Sequence, residues 1–487
     1  MRRLFLTTTA LLAATSAAHA DPYTPGNLLI SRSVYTVPAS TIVVGQTILP
    51  GAVLSTTVLT KTAVADASYP NVFKNETPDP SFGVTTPIII DQVTKTGSLV
   101  SSQIITGLTT SFPSKSELGL SLSADGKAVQ FMGYVAPANT LDVSNSNTPG
   151  HPDATNPVQQ TYQRAVATLD ATGQASIQAV NSYSGNNGRN AIMGLNGVTY
   201  LVGNAGNGTK SATAATLADQ LVNTGVQIVT PGSANTTSAG LYNVTQNGYP
   251  ADKPSKDVNF RGETIFNNTL YATKGSGGNG INTVYQVGAN GTLPTSSGNT
   301  IAILPGFNTK LANDVTSNFY PFGLFFADDH TLYVSDEGLS GTVTSQAGLQ
   351  KWTLTNGVWS EDYVLTNGLN LGVAYTVAGL DPALDPYTSG LRSLSGVVNA
   401  DGTVSLYAVT STSSALTDQG ADANSVVAIT DNLAATTLPV AERFSTIAGP
   451  VYATVYRGVT ETPVPEPASL SLLGLGLAGL LAARRRR

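Results

Sequence analysis

The stretch Asn259–Val287, NFRGETIFNNTLYATKGSGGNGINTVYQV, holds three short segments in which apolar and polar residues alternate. Phe260 to Phe266 and Thr269 to Lys274 flank Asn267-Asn268, and Thr283 to Val287 follows a glycine-rich connection. Alternation with period two puts one face of each segment in a core, and Asn and Gly tolerate the positive φ of tight hairpin turns. The stretch predicts three antiparallel strands.

The unit recurs along the chain. Segments like Thr269 to Lys274 appear as Val129 to Tyr134, Thr199 to Gly203, Thr331 to Ser335 and Ser405 to Val409. Aligned on Phe131, Leu201, Tyr271, Tyr333 and Tyr407, they are spaced 70, 70, 62 and 74 residues apart. An expected strand precedes each one, at Leu118 to Ser123, Ala191 to Leu195, Phe260 to Phe266, Phe322 to Phe326 and Leu394 to Val398. Third strands are expected at Ala165 to Leu169, Gly240 to Thr245, Thr283 to Val287, Leu349 to Leu354 and Ser425 to Thr430. A fourth is expected at Ile177 to Val180, Thr300 to Leu304 and Tyr363 to Leu365. Short strands in groups of four at such a period are the pattern of propeller blades.

The two ends complete each other. Val451 to Val459 reads as a first strand with no second strand after it, and Tyr456-Arg457-Gly458 matches Phe260-Arg261-Gly262. Asn27 to Ser33 reads as a second strand without its first. Pairing them closes a ring and removes exposed sheet edges. The expected fold is therefore an all-β, six-bladed β-propeller closed by its terminal strands. A seventh blade between Ser40 and Pro113 is the alternative, from Thr41 to Leu49, Val53 to Leu59, Pro87 to Val93 and Ser98 to Thr106. A pair of sandwiches or a β-solenoid also stays open.

Composition bounds the chemistry. The 487 residues include 48 glycines, 11% charged residues and no cysteine, which excludes disulfides and thiolate metal sites. Without both terminal segments the body carries 18 basic and 29 acidic groups, net −11, so nucleic acid is not an expected partner.

Both termini read as addresses. Arg2 and Arg3, the apolar run Leu4 to Ala14 and Ala18-His19-Ala20 form a signal peptide, so residues 1–20 are expected to be removed by signal peptidase. The propeller body then spans 21–462. The remaining 463–487 contain Pro465-Glu466-Pro467, an apolar run ending at Ala483, and Arg484, Arg485, Arg486 and Arg487. The run is short for a membrane span but sufficient with snorkelling arginines, which favour the cytoplasmic side. An ordinary carboxyl-terminal anchor needs no Pro-Glu-Pro. This tail resembles the PEP-CTERM sorting signal of Gram-negative bacteria, read by the membrane protease-transpeptidase exosortase. The resemblance covers only the tail. It implies exosortase as partner, a transient membrane anchor, cleavage near Pro465 to Pro467, and release or attachment at the cell surface, often in species that make exopolysaccharide.

Candidate chemistry is sparse. The mature histidines are His151, in the Pro-rich excursion Ala136 to Tyr162, and His330, at an expected hairpin turn after Asp328-Asp329. Asp336-Glu337 follow a second strand, and Asp418, Asp422 and Asn424 supply hard oxygen ligands that suit calcium but lack the twelve-residue loop spacing. No cofactor is otherwise expected. Gly275 to Gly280 opens no helix, so a phosphate cradle fails its context. Arg189, Arg261, Arg392 and Arg457 fall at or just before first strands. They are candidate ligand-binding residues at a channel mouth, suited to a carboxylate or sulfate of a surface polysaccharide. Alternatively they satisfy backbone carbonyls or pair with acids such as Glu263. The expected function is a noncatalytic surface protein that binds glycan or protein. A secreted lyase or hydrolase is the alternative, since the fold hosts both.

Overall fold

The computed structural model describes residues 22–49, 53–54, 57–58, 61–79, 82–114, 116–151, 161–204, 225–240, 259–275, 280–314, 316–339, 342–415 and 420–465. Residues 1–20, expected above to be a signal peptide, the tail from Glu466 onward, Asp418 and residues 276–279 of the glycine-rich loop lie outside the described residues. Among those described, no helix is long and apolar enough to cross a membrane.

The body is a β-propeller-like ring of small antiparallel sheets. It opens with β1 (Leu28–Val34), a small hairpin of β2 (Val53–Leu54) and β3 (Thr57–Val58), then β4 (Thr85–Val93) and β5 (Leu99–Ser111). Next come β6 (Ser121–Leu122), β7 (Ala128–Tyr134), β8 (Arg164–Asp170) and β9 (Ala175–Val180). Four four-stranded sheets follow. The first holds β10 (Gly188–Met193), β11 (Thr199–Gly203), β12 (Val226–Val229) and β13 (Thr236–Gly240). The second holds β14 (Glu263–Phe266), β15 (Thr269–Lys274), β16 (Thr283–Val287) and β17 (Ile301–Ile303). The third holds β18 (Pro321–Phe326), β19 (Thr331–Asp336), β20 (Gly348–Thr355) and β21 (Val358–Leu365). The fourth holds β22 (Tyr387–Val398), β23 (Thr403–Ser413), β24 (Val426–Asn432) and β25 (Ser445–Ala448).

The last strand, β26 (Thr454–Glu461), returns to the first. It pairs antiparallel with β1 from Leu28↔Glu461 to Val34↔Thr454, with a bulge at Ser31/Arg32. The sheet continues through β4 and β5, which touches β7 through the single pair Thr109↔Tyr134, so that β6 to β9 join one eight-stranded sheet. Its two halves also pack face to face. Leu29, Ile88, Ile90 and Ile105 of one meet Leu120, Val129, Phe131 and Ala167 of the other. Similar apolar layers fill the spaces between the remaining neighbouring sheets.

Turn chemistry follows the sequence. Asn267 and Asn268 adopt φ of 45° and 57°, as a type I′ hairpin requires, and Asn356-Gly357 repeats the device between β20 and β21. The glycines that follow Arg261 and Arg457 have a separate cause. A Cβ on Gly262 would lie 2.3 Å from the Phe322 carbonyl oxygen, and one on Gly458 would lie 2.5 Å from the Leu120 nitrogen. Adjacent inner strands approach too closely for a side chain there.

Several expected elements differ. The third strand placed at Gly240 to Thr245 is instead β12; Gly240 ends the fourth strand, and 241–245 lie outside the described residues. The strand expected at Leu118 to Ser123 shrinks to β6, because Leu118 takes a φ of 61° that an extended strand excludes. Thr41 to Leu49 is not a strand but a 3-10 turn at Ala39–Thr41 followed by turns. Pro87 to Val93 and Ser98 to Thr106, assigned above to a seventh blade, form β4 and β5 of the sheet that contains β1 and β26.

Antiparallel alternation gives the ring two unlike faces. Short turns 123–127, 194–198, 267–268, 327–330 and 399–402 join first to second strands on one face. The connections from second to third strands, including 35–84 and 135–163, spring from the other. Around Tyr35, Tyr69, Phe73 and Phe112 the first of these builds its own aromatic core, anchored by Tyr69 Oη donating to the Ala421 carbonyl at 2.8 Å.

Candidate functional site: the central channel

The strands β6, β10, β14, β18, β22 and β26 adjoin one another in that order, and β26 also adjoins β6. All six contribute to a cavity of about 170 Å³ lined by Leu122, Ile192, Glu263, Phe325, Ser395 and Glu461, among others. A narrower space of about 30 Å³ lies nearer the long-connection face, lined by Ser116, Arg189, Asn190, Arg261 and again Glu263.

All four repeated arginines are buried, between 2% and 5% exposed. Arg261 and Arg392 share one carboxylate: Arg261 Nη2 lies 2.9 Å from Glu337 Oε1, and Arg392 Nε lies 3.1 Å from Glu337 Oε2. A buried pair of this kind needs both members, since either charge alone would be left desolvated. Arg189 Nη1 donates to the Phe260 carbonyl at 2.6 Å and to Asn259 Oδ1. Arg457 Nη2 donates to the carbonyls of Gly420, at 2.7 Å, and Phe112. Arg189 and Arg261 line the narrower space while Arg392 and Arg457 line neither of these two, and with Arg261 and Arg392 paired to Glu337 the four are not one ring of free cations. Burial lowers the Arg189 and Arg261 pKa values, with Arg261 adding to the first and Glu337 opposing both.

Three buried acids belong to the same region; Asp336 and Glu263 were named from sequence, and Glu117 was not. Glu117 accepts from Thr110 Oγ1 and the Ser111 nitrogen, both at 3.0 Å, and from Tyr134 Oη. Burial still raises its pKa above the usual carboxylate range. Asp336 accepts from the nitrogens of Tyr320 (2.6 Å) and Gly338 (2.8 Å), and burial pushes its pKa up to about 8. Glu263 differs from both. It is 5% exposed, burial holds its carboxyl well above the ordinary range, and neither oxygen has a hydrogen-bond partner among the described residues. Glu263 is therefore not the arginine partner weighed from sequence; Glu337 is. The signal for Glu337 was present in Asp336-Glu337, but that for Glu117 was not, because Leu118 breaks the strand pattern beside it.

The other candidates are scattered. His330 sits in an exposed turn, its backbone nitrogen bonded to Asp328 Oδ1 at 2.8 Å, and His151 lies in the 135–163 connection. Asp422 Oδ1 accepts from Ser414 Oγ at 2.8 Å. Asn424 is committed to β23 and β26: its Oδ1 accepts from the Tyr456 nitrogen at 2.8 Å, and its Nδ2 donates to the carbonyls of Thr410 and Tyr456. Among the described residues no three His, Cys, Asp or Glu side chains group to hold a metal ion. Gly275 approaches Pro321, where a Cβ would lie 2.1 Å from the carbonyl oxygen, so this end of the glycine-rich loop serves packing.

The chain leaves the ring on the short-turn face. Thr462 donates from its nitrogen to the Asn27 carbonyl and from Oγ1 to the Thr24 carbonyl, both at 2.9 Å, and the Val464 nitrogen donates to the Gly126 carbonyl at 2.9 Å. Pro465 follows immediately.

Among solved structures, similar chains include the parainfluenza virus 5 hemagglutinin-neuraminidase ectodomain, at 12% identity over 72% of this chain and 76% of that one, TM-score 0.35. AztD of Citrobacter koseri is 10% identical over 80% of this chain and 97% of its own, TM-score 0.29. The β-propeller domain of the Trilobed protease of Pyrococcus furiosus is 9% identical over 74% and 84%, TM-score 0.27. No curated protein matches in sequence. The family model that matches is the PEP-CTERM protein-sorting motif, over residues 463–487, and these residues make the chain an exported protein bearing an exosortase sorting signal.

Proposed function

We propose that this chain is a noncatalytic, six-bladed binding propeller, released from or attached to the cell surface once exosortase removes its tail. Residues 1–20 are its leader, 21–462 its body and 463–487 its sorting segment. In this reading the eight-stranded sheet is two blades joined by one residue pair. The six inner strands around one cavity, and the apolar layer between the two halves, support that count. The exopolysaccharide outside the cell is the ligand class.

One observation carries the reading: β26 pairs with β1, and the sorting segment begins only after the last strand, on the short-turn face. Cutting near Pro465 to Pro467 leaves every strand in the ring. While the tail is anchored, the short turns face the membrane and the long connections face outward, where loops on a rigid scaffold serve recognition. Of the four arginines, Arg189 and Arg261 line the narrower channel space, and this reading assigns them the part in ligand binding.

The test is expression in an exosortase-containing host, with mass spectrometry of the mature termini and a glycan array probed with the product. The reading expects loss of both segments and glycan binding without turnover. Depolymerisation of an acidic polysaccharide, abolished by Arg261→Ala, would replace it with the lyase or hydrolase.

A further inference from the structure

The buried carboxyl of Glu263 is a feature of the channel that the arginine–glutamate pairing does not explain; Arg189 Nε and Arg261 Nε, on the adjoining narrow space, are likewise without partners among the described residues. Burial favours the neutral form of Glu263, with one O–H donor and one acceptor oxygen, and neither oxygen has a partner among the described residues; Asn190 Oδ1, on the wall of the adjoining narrow space, is a further acceptor without a donor among them, while Asn190 Nδ2 donates to Ser121 Oγ at 2.8 Å. Buried polar atoms left without partners are costly, so the site calls for a ligand that both donates and accepts hydrogen bonds.

The walls restrict what that ligand is. A bare divalent cation takes several hard oxygen ligands, whereas here a single buried acid sits among Leu122, Ile192, Leu324, Phe325 and Leu394. An anion would find no Lys or Arg on these walls and would meet, at the mouth, Glu461, whose carboxylate is paired with Lys95 at 3.0 Å. A wholly apolar ligand would leave the polar atoms unsatisfied. A neutral molecule carrying adjacent hydroxyls on a partly apolar ring meets each condition: one hydroxyl donates to the Glu263 carbonyl oxygen and its neighbour accepts from the carboxyl O–H, while its C–H face packs on Phe325 and Leu394. A cavity of about 170 Å³ has room for one such ring and not for a chain.

We infer that the larger of these two channel spaces is a subsite for one neutral sugar residue, with Glu263 hydrogen-bonded to two neighbouring hydroxyls, accepting from one and donating to the other. This inference rests on the binding reading above and gives it a substrate class. Thr460 and Glu461, at the root of the sorting segment, line the mouth, so the sugar enters from the short-turn face.

Saturation-transfer NMR on the full chain, held in a zwitterionic non-sugar detergent, tests it with galactose, glucose, mannose, xylose and galacturonate as probes. At least one neutral sugar should show transfer and galacturonate none. Glu263→Gln, which keeps the shape and replaces the carboxyl hydroxyl by an amide NH2 that cannot accept, should weaken binding at least tenfold. Ser395→Phe, which plugs the same cavity from β22, should abolish it. Both variants are checked by circular dichroism, and Glu263→Gln removes a buried acid rather than creating one. Absence of transfer from every neutral sugar, or transfer unchanged in both folded variants, overturns the subsite. Calcium-dependent binding lost in Glu263→Gln overturns it in favour of a cation. Polysaccharide binding that survives both substitutions sinks the subsite and leaves the propeller's binding role intact; no glycan binding at all sinks both.

Discussion

Leu29, in the first strand of the described chain, lies directly opposite Thr460, in the last. The ends of the body are thus neighbours within one sheet, and the strand nearest the sorting segment is part of the core. A chain ending after Val464 should melt at the same temperature as the full body. A chain ending at Ala453 loses Val455, Tyr456 and Val459, which pack on Leu28, Ile30 and their neighbours. At roughly 1.5–3 kcal/mol per buried side chain, that loss equals most of the stability of an ordinary domain. The shorter chain is expected to show no cooperative transition by circular dichroism.

Glu337→Ala should destabilise the body by about 3–5 kcal/mol, because it strands the Arg261 and Arg392 guanidiniums in a dry interior. Urea unfolding measures it. Replacing Glu337 together with Arg261 and Arg392 by apolar residues should recover part of the loss, since the desolvated charges are then gone.

Lys351 makes the corresponding clamp farther out. Its Nζ lies 2.9 Å from Asp431 Oδ2 and also donates to the carbonyls of Asn432 (2.7 Å) and Leu433 (3.1 Å), tying β20 to the end of β24. Lys351→Met should cost about 3–5 kcal/mol, and adding Asp431→Asn should restore a measurable part of it in a double-mutant cycle.

Stability should fall as pH rises across the range where Asp336 is ionised only in the unfolded chain. Its folded pKa of about 8 lies above the ordinary 3.8, so folding takes up a proton between those values. The contribution is fully present below the unfolded pKa and is lost as pH climbs through the folded one, with a slope of up to about 1.4 kcal/mol per pH unit. Glu263 and Glu117, also raised by burial, act in the same direction. Denaturant midpoints from pH 4.5 to 8.5 should decline, and Asp336→Asn should flatten the curve.

Gly262→Ala and Gly458→Ala should each cost about 1–3 kcal/mol through overpacking, as a Cβ there meets the backbone of the next inner strand. Gly291→Ala is a control for space alone, because nothing lies near its missing Cβ; its φ of +73° leaves a strain term of its own.

How much of this was legible follows from where the information is stored. Strands such as Thr199–Gly203 and Thr269–Lys274 were found to the residue, since alternation and Asn or Gly turns are local. β12 was missed because its four residues follow a long polar connection, and β25 because Ser445–Ala448 has a single buried residue. The arginine repeat was visible, but its meaning was not. Sequence gives the position of Arg261 and not the fact that Glu337, on another sheet, neutralises it. Glu263 looked like an ion-pair partner for the same reason; only three-dimensional placement shows its oxygens without donors.

Ring closure is tested most directly by a disulfide in this cysteine-free chain. Ser33 and Val455 are direct partners in the β1–β26 register, whereas Ser31 pairs with Gly458. Under mild oxidation Ser33→Cys with Val455→Cys should cross-link intramolecularly in high yield, read as a linked peptide by mass spectrometry, and raise the melting temperature. Ser31→Cys with Val455→Cys should not. Failure of the first pair to form, or equal yields from both, would contradict a propeller sealed by its own two ends.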